Sequence, residues 1–80
     1  MDYRITVAIS NRVDNFTNND EENLSLVRGY YFAELDRDPK LTKEDKEEFK
    51  IQFETHKNEI VKLIREARDL ESENIPHAEE

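Results

Sequence analysis

The stretch YRITVAISNRVDNF, Tyr3–Phe16, decides the fold, and it supports two readings. Tyr3, Ile5, Val7 and Ile9 alternate along a run rich in β-branched side chains, which is the pattern of a strand with one buried face. Ile5, Ile9, Val13 and Phe16 recur at spacings of four, four and three, which is the pattern of one helical face. We read residues 3–9 as a short strand that turns helical near Ser10, the N-cap of that turn, with a helix as the alternative. A lone strand needs a partner strand, so the strand reading implies a dimer. The helix reading allows a three-helix monomer.

Working outward, TNNDEEN (residues 17–23) is polar and aperiodic, and it reads as a loop or a frayed helix end. Asp20, Glu21 and Glu22 suit the first turn of a helix. That helix is expected from Glu21 or Leu24 to Asp36, limited by Pro39. Leu24, Val27, Tyr31 and Leu35 form one apolar stripe on it. Leu26, Tyr30 and Ala33 form a second on the opposite flank, with Phe32 at the far edge of the first. Successive helical side chains point about 100° apart, so Tyr30, Tyr31 and Phe32 cannot share one core. A helix apolar on most sides is expected to be buried on most sides, with one interface inside the chain and one between molecules. Gly29, the only glycine, costs helix stability, so it is either tolerated or kept for the close approach of another backbone.

Downstream, Thr42 and Asp45 resemble a capping box, and nothing breaks a helix before Pro76. A helix over residues 43–73 would be roughly 45 Å long. Phe49, Phe53, His56, Ile60, Leu63, Ala67 and Leu70 follow one another at alternating spacings of four and three, a heptad-like seam with His56 as its polar member. Ile64 widens it. The preceding helix is too short to cover this seam, so the N-terminal segment, a second copy or a target must contribute. Residues 74–80 read as a polar tail. The fold class expected is mainly α: a short N-terminal strand (or helix), then a helical hairpin with a long C-terminal heptad-patterned helix, in one small domain, 1–80, dimeric.

The chain is 40% charged with a net charge of −8, and residues 1–38 and 39–80 share the acidic excess evenly. Proteins that track phosphates need a net positive face, so nucleic-acid binding is disfavoured and a basic or neutral protein partner is the better match. Eighty residues bury a modest core, and with no cysteine there is no disulfide to hold it. Association is the remaining means of completing it. Two isolated histidines, His56 and His77, supply no zinc set, and one glycine cannot build a phosphate loop. The spacing of Asp20, Glu21 and Glu22 is not that of a calcium loop. No serine, cysteine or carboxylate pair is placed for catalysis, so neither an enzyme nor a cofactor is expected, and His56 reads as a register-setting polar residue. No apolar run approaches membrane-spanning length and no signal peptide opens the chain, so a cytoplasmic protein with no membrane partner is expected.

Tyr3–Phe16 also resembles the opening of ribbon-helix-helix proteins, small dimeric repressors and antitoxins. The resemblance implies a strand that pairs with its twin and enters the DNA major groove. Arg4, Thr6 and Ala8 would then face the bases and Ile5, Val7 and Ile9 the core. Ser10, Val13 and Phe16 would open the first helix, and Ser25 and Arg28 the second. In antitoxins of this family a C-terminal helical extension wraps a toxin, a part residues 42–73 could play.

Three functions follow. The first is a non-enzymatic acidic regulator that binds and inhibits a protein partner through its helices, of antitoxin or phage inhibitor type, including nucleic-acid mimics. Its partner-binding residues would be Tyr30, Phe32, Phe49, Phe53, His56, Ile60 and Leu63. The second is a ribbon-helix-helix DNA-binding regulator using Arg4 and Thr6. The third is an oligomer binding a small ligand between subunits, through Tyr30, Arg28 and the lysines.

Overall fold

The structure, a computed structural model, describes residues 2–74. It is mainly α, with no strand among the described residues. Helix α1 spans Tyr3–Arg12 and runs into a 3₁₀ turn, Val13–Asn15. Helix α2 spans Asp20–Arg37, α3 Lys43–Thr55 and α4 Lys57–Asn74. The polar tail expected over residues 74–80, and His77 with it, lies outside the described residues except for Asn74, the last residue of α4.

The strand expected over residues 3–9 is a helix. Asp2 starts it: its carboxylate accepts the Arg4 backbone N–H at 3.1 Å, one of the donors a helix start leaves unpaired. Ile5, Ala8 and Ile9 then form its buried face. A strand would have buried Tyr3 and Val7 with Ile5 and Ile9, yet Tyr3 is 69% and Val7 40% exposed while Ala8 is fully buried. The three-and-four spacing therefore outweighed the alternation. The inward Val7 and outward Ala8 that the ribbon-helix-helix resemblance implies are reversed.

Helix α2 begins earlier than expected, because Asn19 caps it by accepting the Glu22 N–H at 3.1 Å. It stops at Asp38, extended ahead of Pro39 as the proline ring requires. Thr42 and Asp45 make the expected capping box at the start of α3, with bonds of 3.0 and 3.1 Å.

The long helix expected over residues 43–73 is divided. His56 leaves helical geometry, at φ −103° and ψ 19°, while its N–H still donates to Gln52 and its carbonyl still accepts from Ile60, both at 3.0 Å. The axis therefore bends without reversing. Neither glycine nor proline causes the bend. A 3.5-residue seam drifts around a straight 3.6-residue helix, and here Phe53 before the bend and Ile60 and Ile64 after it are all fully buried.

Cross-helix pairs set the directions. Asp20 binds Arg65, Arg28 binds Glu54 at 2.8 Å, and Asp36 binds Lys50 at 3.7 Å, so α2 runs antiparallel to the bent α3–α4 rod. At its own start α1 shares surroundings with Asp38 and Phe49, and at its end with Ala67 and Leu70, so it lies antiparallel to α2 and parallel to the rod. The result is a three-helix bundle, up, down and up. Ile5, Ala8 and Ile9 of α1, Leu24, Val27, Tyr31 and Leu35 of α2, and Phe53, Ile60 and Ile64 of the rod form its core. The seam expected to stand half-open is thus lined by α1 and α2 within one chain, and only its last member, Leu70, is well exposed.

Candidate partner-binding faces

The consecutive rings of α2 go three ways. Tyr31 points inward and stacks on Phe53, centroids 5.5 Å apart. Phe32 points toward α3 and meets Phe53 edge-on at 5.8 Å. Tyr30 turns toward α1, where the Arg12 guanidinium lies 5.3 Å from its ring centre. This is the division that helical geometry demanded.

Phe32 forms the floor of an open groove of about 480 Å³ between α2 and α3, lined also by Glu47, Lys50, Ile51, Glu54 and Thr55. The Lys50 ammonium sits 5.3 Å from the Phe32 ring centre. Ile51 is 57% exposed. On a helix its neighbours three, four and seven residues before it are Glu48, Glu47 and Glu44, and those three and four after it are Glu54 and Thr55, all of them exposed. An exposed branched apolar side chain ringed by carboxylates suits a partner that is both apolar and basic. Ile51 lies off the heptad seam that runs from Phe49 to Leu70.

At the other edge of α2, Asp2 ties α1 to α2. Its carboxylate caps α1, accepts from both Arg4 and the Tyr31 hydroxyl, the latter at 2.8 Å, and is 7% exposed. Arg4 also binds Asp38, which accepts the Lys40 N–H at 2.9 Å. Burial, then the bond to Asp2, pushes the Tyr31 phenol far above its ordinary pKa. The Lys40 backbone bond and the Arg4 guanidinium hold the Asp38 carboxyl low. A cavity of about 160 Å³ adjoins this network, lined by Asp2, Ile5, Tyr31, Phe49, Gln52 and His56. With donors already gathered on its carboxylate, Asp2 is a structural acceptor, not a free base.

At the far end, Asn23 is fully buried, donating to the Thr17 carbonyl and accepting from the Thr17 N–H, both at 2.8 Å. A cleft of about 600 Å³ opens beside that loop, between the 3₁₀ turn and the end of α4. Asp14 there raises the Glu71 carboxyl above its usual range. Among the described residues no group of three or more ligating side chains could hold a metal ion, and no helix is long and apolar enough to cross a membrane.

The partner-binding residues expected from sequence are distributed over these features. Phe53 and Ile60 are fully buried in the core. Phe49 and His56 are half-buried around the cavity beside Asp2, and the His56 ring is 3.6 Å from Glu59. Leu63 is half-buried against the core. Phe32 alone lies in the groove beside Ile51, and Tyr30 lies at the opposite edge of α2. Of the expected DNA-reading pair, Thr6 is exposed and Arg4 is held between Asp2 and Asp38. Gly29 is exposed, and a Cβ added there meets nothing within 4 Å among the described residues, so none of their backbone approaches it.

No protein-family model, curated protein or solved structure matches this chain.

Proposed function

We propose that this protein is a non-enzymatic acidic regulator, of the inhibitor or antitoxin type, that docks a basic helical segment of a protein partner against α3. The observation that carries the reading is Ile51, exposed among Glu44, Glu47, Glu48 and Glu54 at the rim of the Phe32 groove. An amphipathic helix would lay an apolar residue over Ile51 and Phe32 and set its lysines or arginines against the glutamates. The net charge of −8 raises the rate at which such a partner arrives. Phe53 and Ile60 serve from beneath, holding α3 in place.

The test is an amide-shift titration with an amphipathic leucine–lysine helical peptide. Shifts concentrated on residues 44–55 and Phe32 are expected, weakening as salt is added, with roughly tenfold poorer affinity in Ile51→Asp. The reading fails if a scrambled peptide of equal charge produces the same shifts, or if the shifts centre on another face.

A further inference from the structure

We propose that the outward face of α2 binds a second copy of this chain, forming a two-fold dimer with the two α2 helices antiparallel. The inference goes beyond the partner docking above and uses a different face. Its basis is a stripe along the outer side of α2, with Glu22, Leu26, Gly29 and Arg37 exposed and Tyr30 and Ala33 half-buried. These positions are three, four or one apart, so they share one side of the helix, opposite buried Leu24, Val27, Tyr31 and Leu35.

The stripe complements itself when reversed. With the two-fold axis between Gly29 and Tyr30, Tyr30 faces Gly29 of the other copy, Leu26 faces Ala33, and Glu22 faces Arg37. Large meets small at each apolar pair, and acid meets base at each end. Two-fold interfaces require such a match, because the same patch serves both molecules. It also accounts for Gly29. The residue lies within an 18-residue helix, where glycine lowers stability, and it neither adopts positive φ nor makes room for any of the described residues. The missing side chain has a use only if something from outside comes close.

Charge selects a second copy as the occupant. Two molecules of net charge −8 repel, so they associate most readily where neither presents unpaired acid. Between Glu22 and Glu34 the exposed residues of α2 are Ser25, Leu26 and Gly29. Those of adjacent α1 are Tyr3, Thr6, Val7, Ser10 and Asn11, also uncharged. Arg12, beside Tyr30, lies over that ring, and Glu34 is paired with Arg37 at 2.9 Å. The flank of α1, with Tyr3 and Val7 exposed, widens the apolar area beyond what one helix offers.

The test is the mass in solution by sedimentation equilibrium over a dilution series. The wild-type chain should be a dimer at high concentration. Gly29→Leu should keep full helicity by circular dichroism and become monomeric. Glu22→Arg and Arg37→Glu should each weaken the dimer, roughly tenfold, by placing like charges across the axis, and the double swap should recover it. A wild-type chain that stays monomeric at the highest concentration overturns the proposal. So does a dimer indifferent to Gly29→Leu, or one whose double swap is no tighter than either single. The leucine–lysine peptide should still shift residues 44–55 in the Gly29→Leu monomer, so failure here is separable from failure of the docking reading.

Discussion

Every exposed residue of α1 is uncharged, whereas the exposed residues of α3 include Glu44, Asp45, Glu47, Glu48 and Glu54. The two helices contribute to one core, so burial alone does not explain the contrast. What differs is how each spends its charges. The two bases of α1 are both engaged, Arg4 by Asp2 and Asp38, and Arg12 by the face of Tyr30. Of those α3 acids only Glu54 is drawn into an ion pair with α2, and Glu44 and Glu47 face solvent. The proposed dimer uses the uncharged side of the bundle, and the proposed docking of a basic partner uses the acidic one. An acidic small protein can carry two recognition surfaces of opposite electrostatic character if one helix keeps its charges internal.

The largest effect should come from breaking what both faces rest on. Phe53 is fully buried between Tyr31 and Phe32. Phe53→Ala should cost about 3–5 kcal/mol in urea unfolding and abolish both faces together. Ile51→Ala, two residues away, should change stability by less than about 0.5 kcal/mol. Similar losses in the two variants would mean that the rim is part of the core. Asn23→Ala comes next, at about 1–3 kcal/mol, because both backbone groups of Thr17 lose the amide they bond.

Gly29→Ala should raise the stability of the dilute monomer by up to about 1 kcal/mol while weakening association, two opposite signs from one methyl group. A variant that gains on both counts would place the interface elsewhere. Salt sharpens the contrast further. Added sodium chloride should weaken peptide docking at α3 and leave self-association unchanged or stronger, as read by the same titrations at rising ionic strength.

The smallest effect is in pH. Arg65 holds Asp20 low, and the Lys40 N–H and then Arg4 hold Asp38 low, so these groups stabilise the fold above the ordinary carboxylate range. That contribution is lost as pH falls through their depressed values. Glu71, raised by Asp14, has the opposite sign: it favours the fold when protonated and gives that up as pH rises through its range. As pH falls from neutrality the urea midpoint should first edge upward as Glu71 takes up its proton, and then fall as Asp20 and Asp38 are protonated. A steady fall from neutrality would remove the Glu71 contribution.

Much of the fold was legible where local chemistry was strong. The Thr42–Asp45 box, the stop before Pro39 and the inward stripe of α2 stand where the spacing placed them. The first helix was misjudged because Ile5 and Ile9 satisfy both periods. The deciding residues were Asp2, which caps through the Arg4 N–H two residues on and is bonded by Tyr31 from α2, and small Ala8, a weak signal in any apolar count. The break at His56 was hidden because neither glycine nor proline marks it. The candidate faces were only partly legible. Phe53 and Ile60 carried the seam so clearly that they looked available, and a seam that looks adhesive in sequence is the part a small bundle uses up first. Ile51, off the seam, had no role to suggest, because one apolar residue among glutamates has no period to announce it.

The carbonyl of Thr17 accepts from Asn23, six residues on, and at 3.1 Å from Arg68, fifty-one residues on. Those separations set an order of events as the chain folds. The Asn23 bond closes a short loop and needs nothing downstream, so the α1–α2 reversal can form early. The Arg68 bond must wait for the whole rod to return. Mutations at Asn23 should therefore slow folding, and mutations at Arg68 should mainly speed unfolding, making one oxygen atom a record of both the first and the last steps of assembly.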